Sequence, residues 1–155
     1  MAGKTALFYG KSGRTQLGRF WLAVSDQGLV AVEWGRTREE FEAYLTKRFK
    51  RPIEEAQEKV ENASREIGDY LAGEGRNFSL PIDWNVLRPF QRLVLKATHA
   101  IPYGETCTYK QIAEKIGRPR AARAVGRAEA TNPMPLVIPC HRVIGMDGKL
   151  HGYGG

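Results

Sequence analysis

The 155-residue sequence holds only two cysteines, Cys107 and Cys140, and three histidines, His99, His141 and His151. So few cysteines argue against the disulfide framework of small secreted domains. With no C-x-x-C and no H-x-x-x-H pair, no metal site is expected either. No apolar run approaches the roughly 18 residues of a transmembrane span, so no membrane partner is expected. The opening MAGKTALFYG has one early lysine and a very short apolar patch before Lys11, Ser12, Gly13 and Arg14. That leaves neither the h-region nor the cleavage site of a secretory leader. The expected location is the cytoplasm, or the nucleus if the source is eukaryotic. Repeats and low-complexity segments are also missing.

What is present is an ordinary globular composition, 42% hydrophobic, with 24 Lys+Arg against 17 Asp+Glu and a formal charge of +7. Such an excess suits a protein that meets a polyanion, although many proteins carry it for solubility alone. Position distinguishes the two. Acidic residues cluster from Glu39 to Glu74, whereas basic residues dominate from Arg88 to Arg142. The second half is therefore the candidate for nucleic-acid binding.

Along the first half, Thr5–Gly10, Leu17–Ser25 and Leu29–Gly35 read as strands separated by Ser12-Gly13 and Asp26-Gln27-Gly28, an antiparallel meander. Thr37-Arg38-Glu39-Glu40 reads as a capping box opening a helix that Pro52 ends. A second helix is expected over about Glu55–Leu71, with Val60, Ile67, Tyr70 and Leu71 as its apolar stripe, then a strand over Phe78–Ile82. Phe20, Trp21 and Trp34 are expected in the core. This predicts an α/β domain over residues 1–84.

From residue 88 to 155 the pattern turns helical. Phe90, Leu93, Val94 and Ala97 fall at i, i+3, i+4 and i+7, with Pro89 in the first turn. After the turn Ile101–Glu105, Thr108 can cap a helix over Tyr109–Ile116 that Gly117 stops, and another runs over Ala121–Ala130. A short helix, a turn containing glycine and a second helix make a helix-turn-helix. Ala121, Ala122, Ala124, Gly126, Ala128 and Ala130 leave the second helix nearly bald, while Arg118, Arg120, Arg123 and Arg127 stud it and its approach. Small residues permit close approach to the ~6 Å minor groove, and the guanidinium groups suit phosphates.

The stretch Val137-Ile138-Pro139-Cys140-His141-Arg142-Val143-Ile144 interrupts an aliphatic run with a thiol beside an imidazole. Cysteine attacks as its thiolate, which a nearby histidine or cation favours. Neighbours on a strand point to opposite faces, so direct contact between Cys140 and His141 requires Pro139 to break the strand, or a bridging water. The alternative is an inert core cysteine. A hydrolase is disfavoured, because no glycine-flanked nucleophile elbow surrounds Cys140.

From Phe90 onward the sequence resembles the O6-alkylguanine-DNA alkyltransferases, the methylated-DNA–protein cysteine methyltransferases. The resemblance rests on Ile101-Pro102-Tyr103-Gly104-Glu105, Thr108-Tyr109, Ala122-Arg123-Ala124-Val125-Gly126, Asn132-Pro133, Ile138–Ile144 and Gly152-Tyr153-Gly154-Gly155. The first half matches only in layout, where the family has a ribonuclease-H-like domain with an antiparallel sheet and helices, followed by a winged-helix-like domain. The resemblance implies DNA repair by irreversible, single-turnover transfer of an alkyl group from O6-alkylguanine, extending to O4-alkylthymine, onto Cys140 after base flipping through the minor groove. It implies no cofactor and a monomer acting on double-stranded DNA.

The resemblance further implies that His141 is the water-mediated base and Arg123 the finger that fills the vacated stack. Tyr109 presses on the adjoining phosphate and supplies a proton, and Asn132 is the hinge between recognition helix and acceptor. Arg118, Arg120, Ala124, Gly126 and Arg127 contact DNA, and Tyr153, Pro135, Val143 and Gly152 form the base pocket. In the family a Glu beyond the Tyr-Gly-Gly region completes a relay through His141. This sequence ends at Gly155, so the expectation is either an absent tail or an incomplete relay. The competing reading is a non-catalytic sensor of alkylated DNA, or a helix-turn-helix regulator signalling through a methylated cysteine.

Overall fold

The structure, a computed structural model, describes residues 5–146. The chain divides into two compact units, Met1–Val86 and Leu87–Gly155.

In the first unit, β1 (Leu7–Lys11), β2 (Phe20–Ser25) and β3 (Gly28–Trp34) form the expected antiparallel meander. The helix α1 (Arg38–Phe49) opens on the Thr37 capping box, with Glu40 N donating to Thr37 Oγ1 at 3.1 Å and Thr37 N to Glu40 Oε1 at 2.8 Å. It ends at Lys50 in the left-handed region, φ 54°. A strand absent from the sequence reading follows: β4 (Ile53–Glu55) pairs parallel with β1, making a mixed sheet of order β3-β2-β1-β4. The helix α2 therefore starts at Gln57 and runs to Leu71. Three residues, two of them acidic, give no alternation from which an edge strand could be read.

The expected strand over Phe78–Ile82 reduces to an isolated bridge between Leu29 and Ile82. Pro81 lacks the N–H that a ladder needs. Its carbonyl instead accepts Leu29 N at 2.9 Å, and a Cβ at Gly28 (φ +140°) would lie 2.5 Å from it.

The core packs α1, through Phe41, Leu45 and Phe49, against Leu7, Tyr9, Trp21 and Ala23 of the sheet. Adjacent β1 positions face the other way. There a Cβ at Gly10 would come within 2.7 Å of Val60 in α2, so α2 closes on the opposite face. Phe20 and Trp21 are buried as expected, and Trp34 is half-buried.

The second unit begins with α3 (Pro89–His99), Pro89 occupying a first-turn position where its missing N–H costs nothing. Its buried face is Val94, Leu95 and Thr98, whereas Leu93 is 44% exposed. The inward face thus runs through positions 91, 94, 95 and 98, one residue round from the apolar stripe. After β5 (Cys107–Thr108), the Thr108 box with Gln111 opens α4 (Tyr109–Lys115), and Ile116 and Gly117 (φ +75°) terminate it. The next helix, α5 (Ala122–Ala130), completes the helix-turn-helix. Gly126 faces the Tyr109 ring, 4.0 Å from where a Cβ would stand. A methyl group would fit there at ordinary van der Waals distance, so packing on α4 does not require this glycine. Finally, Cys140–Arg142 forms a single 3-10 turn, and β6 (Val143–Ile144) pairs parallel with β5.

Candidate active site

Pro139 breaks the aliphatic run at φ −80°, ψ 67°, and places Cys140, His141 and Arg142 on a 3-10 turn. Strand alternation no longer separates Cys140 from His141. Cys140 is a thiol, 5% exposed. His141 is half-buried, and its Nδ1 is a buried nitrogen with no hydrogen-bond partner among the described residues. Burial, reinforced by the neighbouring Arg142 charge, lowers the His141 pKa below its usual 6.5. The imidazole is therefore neutral at pH 7 and able to accept a proton.

Arg142 is engaged with the Ile101–Glu105 turn. Its Nη1 donates to the Ile101 carbonyl at 2.8 Å and its guanidinium lies 5.5 Å from the Tyr103 ring centroid. It thereby fastens the Ile101–Glu105 turn to the Cys140 turn.

Asn132 fixes the approach to Cys140. Its Oδ1 accepts Met134 N at 2.9 Å and its Nδ2 donates to the Ile138 carbonyl at 2.9 Å, the same carbonyl that accepts Cys140 N at 2.8 Å. Within this loop Leu136 adopts φ +73°, a left-handed conformation costing a leucine on the order of 1 kcal/mol. Substituting Asn132 by Ala leaves the Met134 N–H and the Ile138 carbonyl each short of one partner. The expected result is a loss of about 1–2 kcal/mol in denaturant unfolding.

A groove of about 630 Å³ brings together Tyr109, Arg123, Gly126, Arg127, Ala130 and Met146. Arg118, Arg120, Arg123 and Arg127 are all exposed, and none is in a salt bridge among the described residues. Arg118 lies outside the groove lining, 6.0 Å from the Phe90 ring, and Arg120 and Ala124 also fall outside it. Pro135 sits half-buried in the Asn132 loop, and Val143 is buried in register with Cys107. Gly152 and Tyr153 lie outside the described residues. No cluster of metal-ligating side chains occurs among the described residues. The sequence reading does not single out Gln91 or Glu129, and it takes Leu136 only as part of the aliphatic run before Cys140. Nothing in local pattern marks them, since each acquires its role from a distant neighbour or from backbone conformation.

The fold and site define a two-unit helix-turn-helix protein with a buried thiol on a turn tied to its second helix. Residues 7–84 match the ribonuclease-like domain, and residues 89–155 the DNA binding domain, of 6-O-methylguanine DNA methyltransferase. The chain belongs to this family. A methylated-DNA–protein-cysteine methyltransferase of Salmonella typhimurium is 40% identical over 147 residues, covering 91% of this chain and 84% of the relative. One of Mycolicibacterium paratuberculosis is 54% identical over 93 residues, 60% of this chain, and that match spans only 56% of the relative's length. Among solved structures, Mycobacterium tuberculosis OGT in complex with DNA superposes with a TM-score of 0.71 at 37% identity, covering 97% of this chain and 84% of that one.

Proposed function

We propose that this chain repairs O6-alkylguanine in double-stranded DNA by moving the alkyl group onto Cys140. The observation that carries the reading is the buried Cys140 thiol beside a neutral His141, on a turn that Asn132 ties to the end of the arginine-bearing helix α5. His141 takes the thiol proton through water. The thiolate attacks the alkyl carbon in an SN2 step, the S–C bond forms as the C–O6 bond breaks, and Tyr109 protonates the departing guanine. The thioether has no comparable leaving group, so each molecule reacts once. The O6 substituent is shielded in the duplex, which requires flipping, with Arg123 filling the gap. Residues 1–84 and 88–155 act as the structural and the DNA-repairing domain. By the resemblance, Tyr153 and Gly152, with Pro135 and Val143, are the residues assigned to contact the flipped base.

Intact-mass measurement after incubation with duplex DNA containing O6-methylguanine tests this directly. The expected product is one methyl group on the peptide holding Cys140, with one equivalent of DNA repaired. Tight binding without mass gain indicates instead a lesion sensor. The same measurement on O4-methylthymine duplexes tests whether the reading extends to that base. In this reading the protein acts as a monomer without a cofactor, in the cytoplasm or, if the source is eukaryotic, in the nucleus. No helix among the described residues is long and apolar enough to cross a membrane.

Affinity for duplex DNA is expected to fall steeply with salt. If Arg118, Arg120 and Arg127 each neutralise a phosphate while Arg123 enters the stack, log K against log [salt] has a slope of about −2.7, at about 0.9 per phosphate contact. A flat response removes the groove-binding assignment.

A further inference from the structure

The contact between α3 and the C-terminal turns of α5 holds two polar clamps. Gln91 Nε2 donates toward the Ala128 carbonyl at 3.1 Å, the Thr131 carbonyl at 3.2 Å and the Thr131 hydroxyl at 3.0 Å. An amide of α3 therefore caps the end of α5, whose last carbonyls have no partner within the helix. Two turns along α3, at i+7 and so on the same face, Thr98 is hydrogen-bonded to a Glu129 carboxyl oxygen. Glu129 is 5% exposed, and its Oε2 has no partner among the described residues.

The Thr98 hydroxyl also lies 3.0 Å from the Val94 carbonyl. One hydroxyl proton cannot serve two acceptors at full strength. A neutral Glu129 carboxylic acid satisfies both contacts, its O–H directed at Thr98 Oγ1 while Thr98 donates to Val94. A carboxylate takes the hydroxyl proton for itself, strips the Val94 carbonyl, and leaves Oε2 charged, buried and unpaired. Burial accordingly pushes the Glu129 carboxyl up to about 7, opposed by the Thr98 hydrogen bond.

Among the described residues no cation compensates: burial and the Thr98 hydrogen bond are what act on the Glu129 carboxyl. Lys96 and His99 of α3, Lys110, Glu114 and Lys115 of α4, and Arg127 of α5 are exposed. Arg92 donates to the Leu87 carbonyl at 2.9 Å and Arg142 to that of Ile101 at 2.8 Å, while His141 is neutral at pH 7.

We propose that Glu129 is a positioning residue for repair in duplex DNA: as the neutral acid it pins α5 to α3, and its ionisation releases the pin. This rests on the reading that Cys140 is the alkyl acceptor and Arg123 the finger. The route from the pin to both is short. Arg123 lies six residues earlier on α5, and Asn132 N donates to the Glu129 carbonyl at 3.2 Å while its side chain holds the Ile138 carbonyl. The pin thus sets the register between finger and acceptor. Duplex repair needs that register, whereas a free base needs the acceptor alone.

The test is the ratio of single-turnover rates on saturating O6-methylguanine duplex and on free O6-benzylguanine, from pH 6 to pH 8.5. Thiol and His141 titrations act on the same Cys140 in both reactions and cancel in the ratio. In the unaltered protein the ratio falls about fivefold across pH 7, a modest coupling. In Glu129→Gln, which keeps the shape and cannot ionise, it stays flat. A fall shared by both proteins, or a flat ratio in both, overturns the assignment. Failure of the unaltered protein to react with either substrate overturns the transfer reading itself, and the positioning role with it.

Thermal melting gives a readout independent of activity. A carboxyl whose folded-state pKa is raised contributes stability fully present below its ordinary value of 4.5 and lost as pH rises through about 7. The melting temperature of Glu129→Gln should therefore rise relative to that of the unaltered protein over that interval. Should Glu129→Gln fail to fold, Glu129→Met carries the same expectations, and a constant difference between proteins overturns the proposal.

Discussion

Cys140→Ser is expected to abolish methyl transfer while leaving duplex DNA binding intact. The substitution removes the nucleophilic thiol of the acceptor turn: a serine hydroxyl is a far weaker nucleophile at neutral pH, and His141 alone does not deprotonate it. The arginines proposed to meet DNA stand on α5 and its approach, not on the Cys140–Arg142 turn, so the binding isotherm should coincide with that of the unaltered protein. Peptide mapping provides the control. Cys107 is the second thiol, half-buried with Lys115 Nζ at 3.5 Å from its sulfur. Methylation found on Cys107, or more than one equivalent of DNA repaired per molecule, contradicts the mechanism. Raising the pH should accelerate transfer to Cys140, as more of the thiol ionises without the help of a base.

Arg123→Ala is expected to slow repair in duplex DNA by about 10–100-fold while leaving reaction with free O6-benzylguanine within about twofold. Extruding a base costs a few kcal/mol of stacking and pairing, and each 1.36 kcal/mol of barrier is a factor of ten in rate. Arg123 is exposed and lines the groove on the outer face of α5, so its truncation should leave the melting temperature almost unchanged. Equal slowing on both substrates would show that the residue serves the acceptor rather than the duplex.

The features legible in the sequence are those whose cause lies within a few residues. Thr37 and Thr108 could be read as caps because the partner side chains, Glu40 and Gln111, stand three residues on. Gly117 ends α4 by a local backbone preference, and Pro139 breaks its strand for the same kind of reason. The acceptor stretch and the arginine-bearing helix were likewise recognisable from residue order, and the resemblance they support agrees with the family to which the chain belongs.

What required the tertiary structure has its cause far along the chain. β4 exists because Ile53–Glu55 finds β1, not because its own pattern specifies a strand. The inward face of α3 passes through Leu95 and Thr98 instead of Leu93 because α5 packs there. Arg142, which sequence order places beside the thiol, spends its guanidinium on Ile101, 41 residues away. Glu129 is the extreme case: by composition a glutamate on a basic helix belongs in water, and only Thr98, 31 residues earlier, and the packing of α3 make it a buried acid. Short-range hydrogen bonds and backbone preferences act on the unfolded chain and so are written in residue order. Burial and the ionisation that follows from it exist only once distant segments have excluded water together.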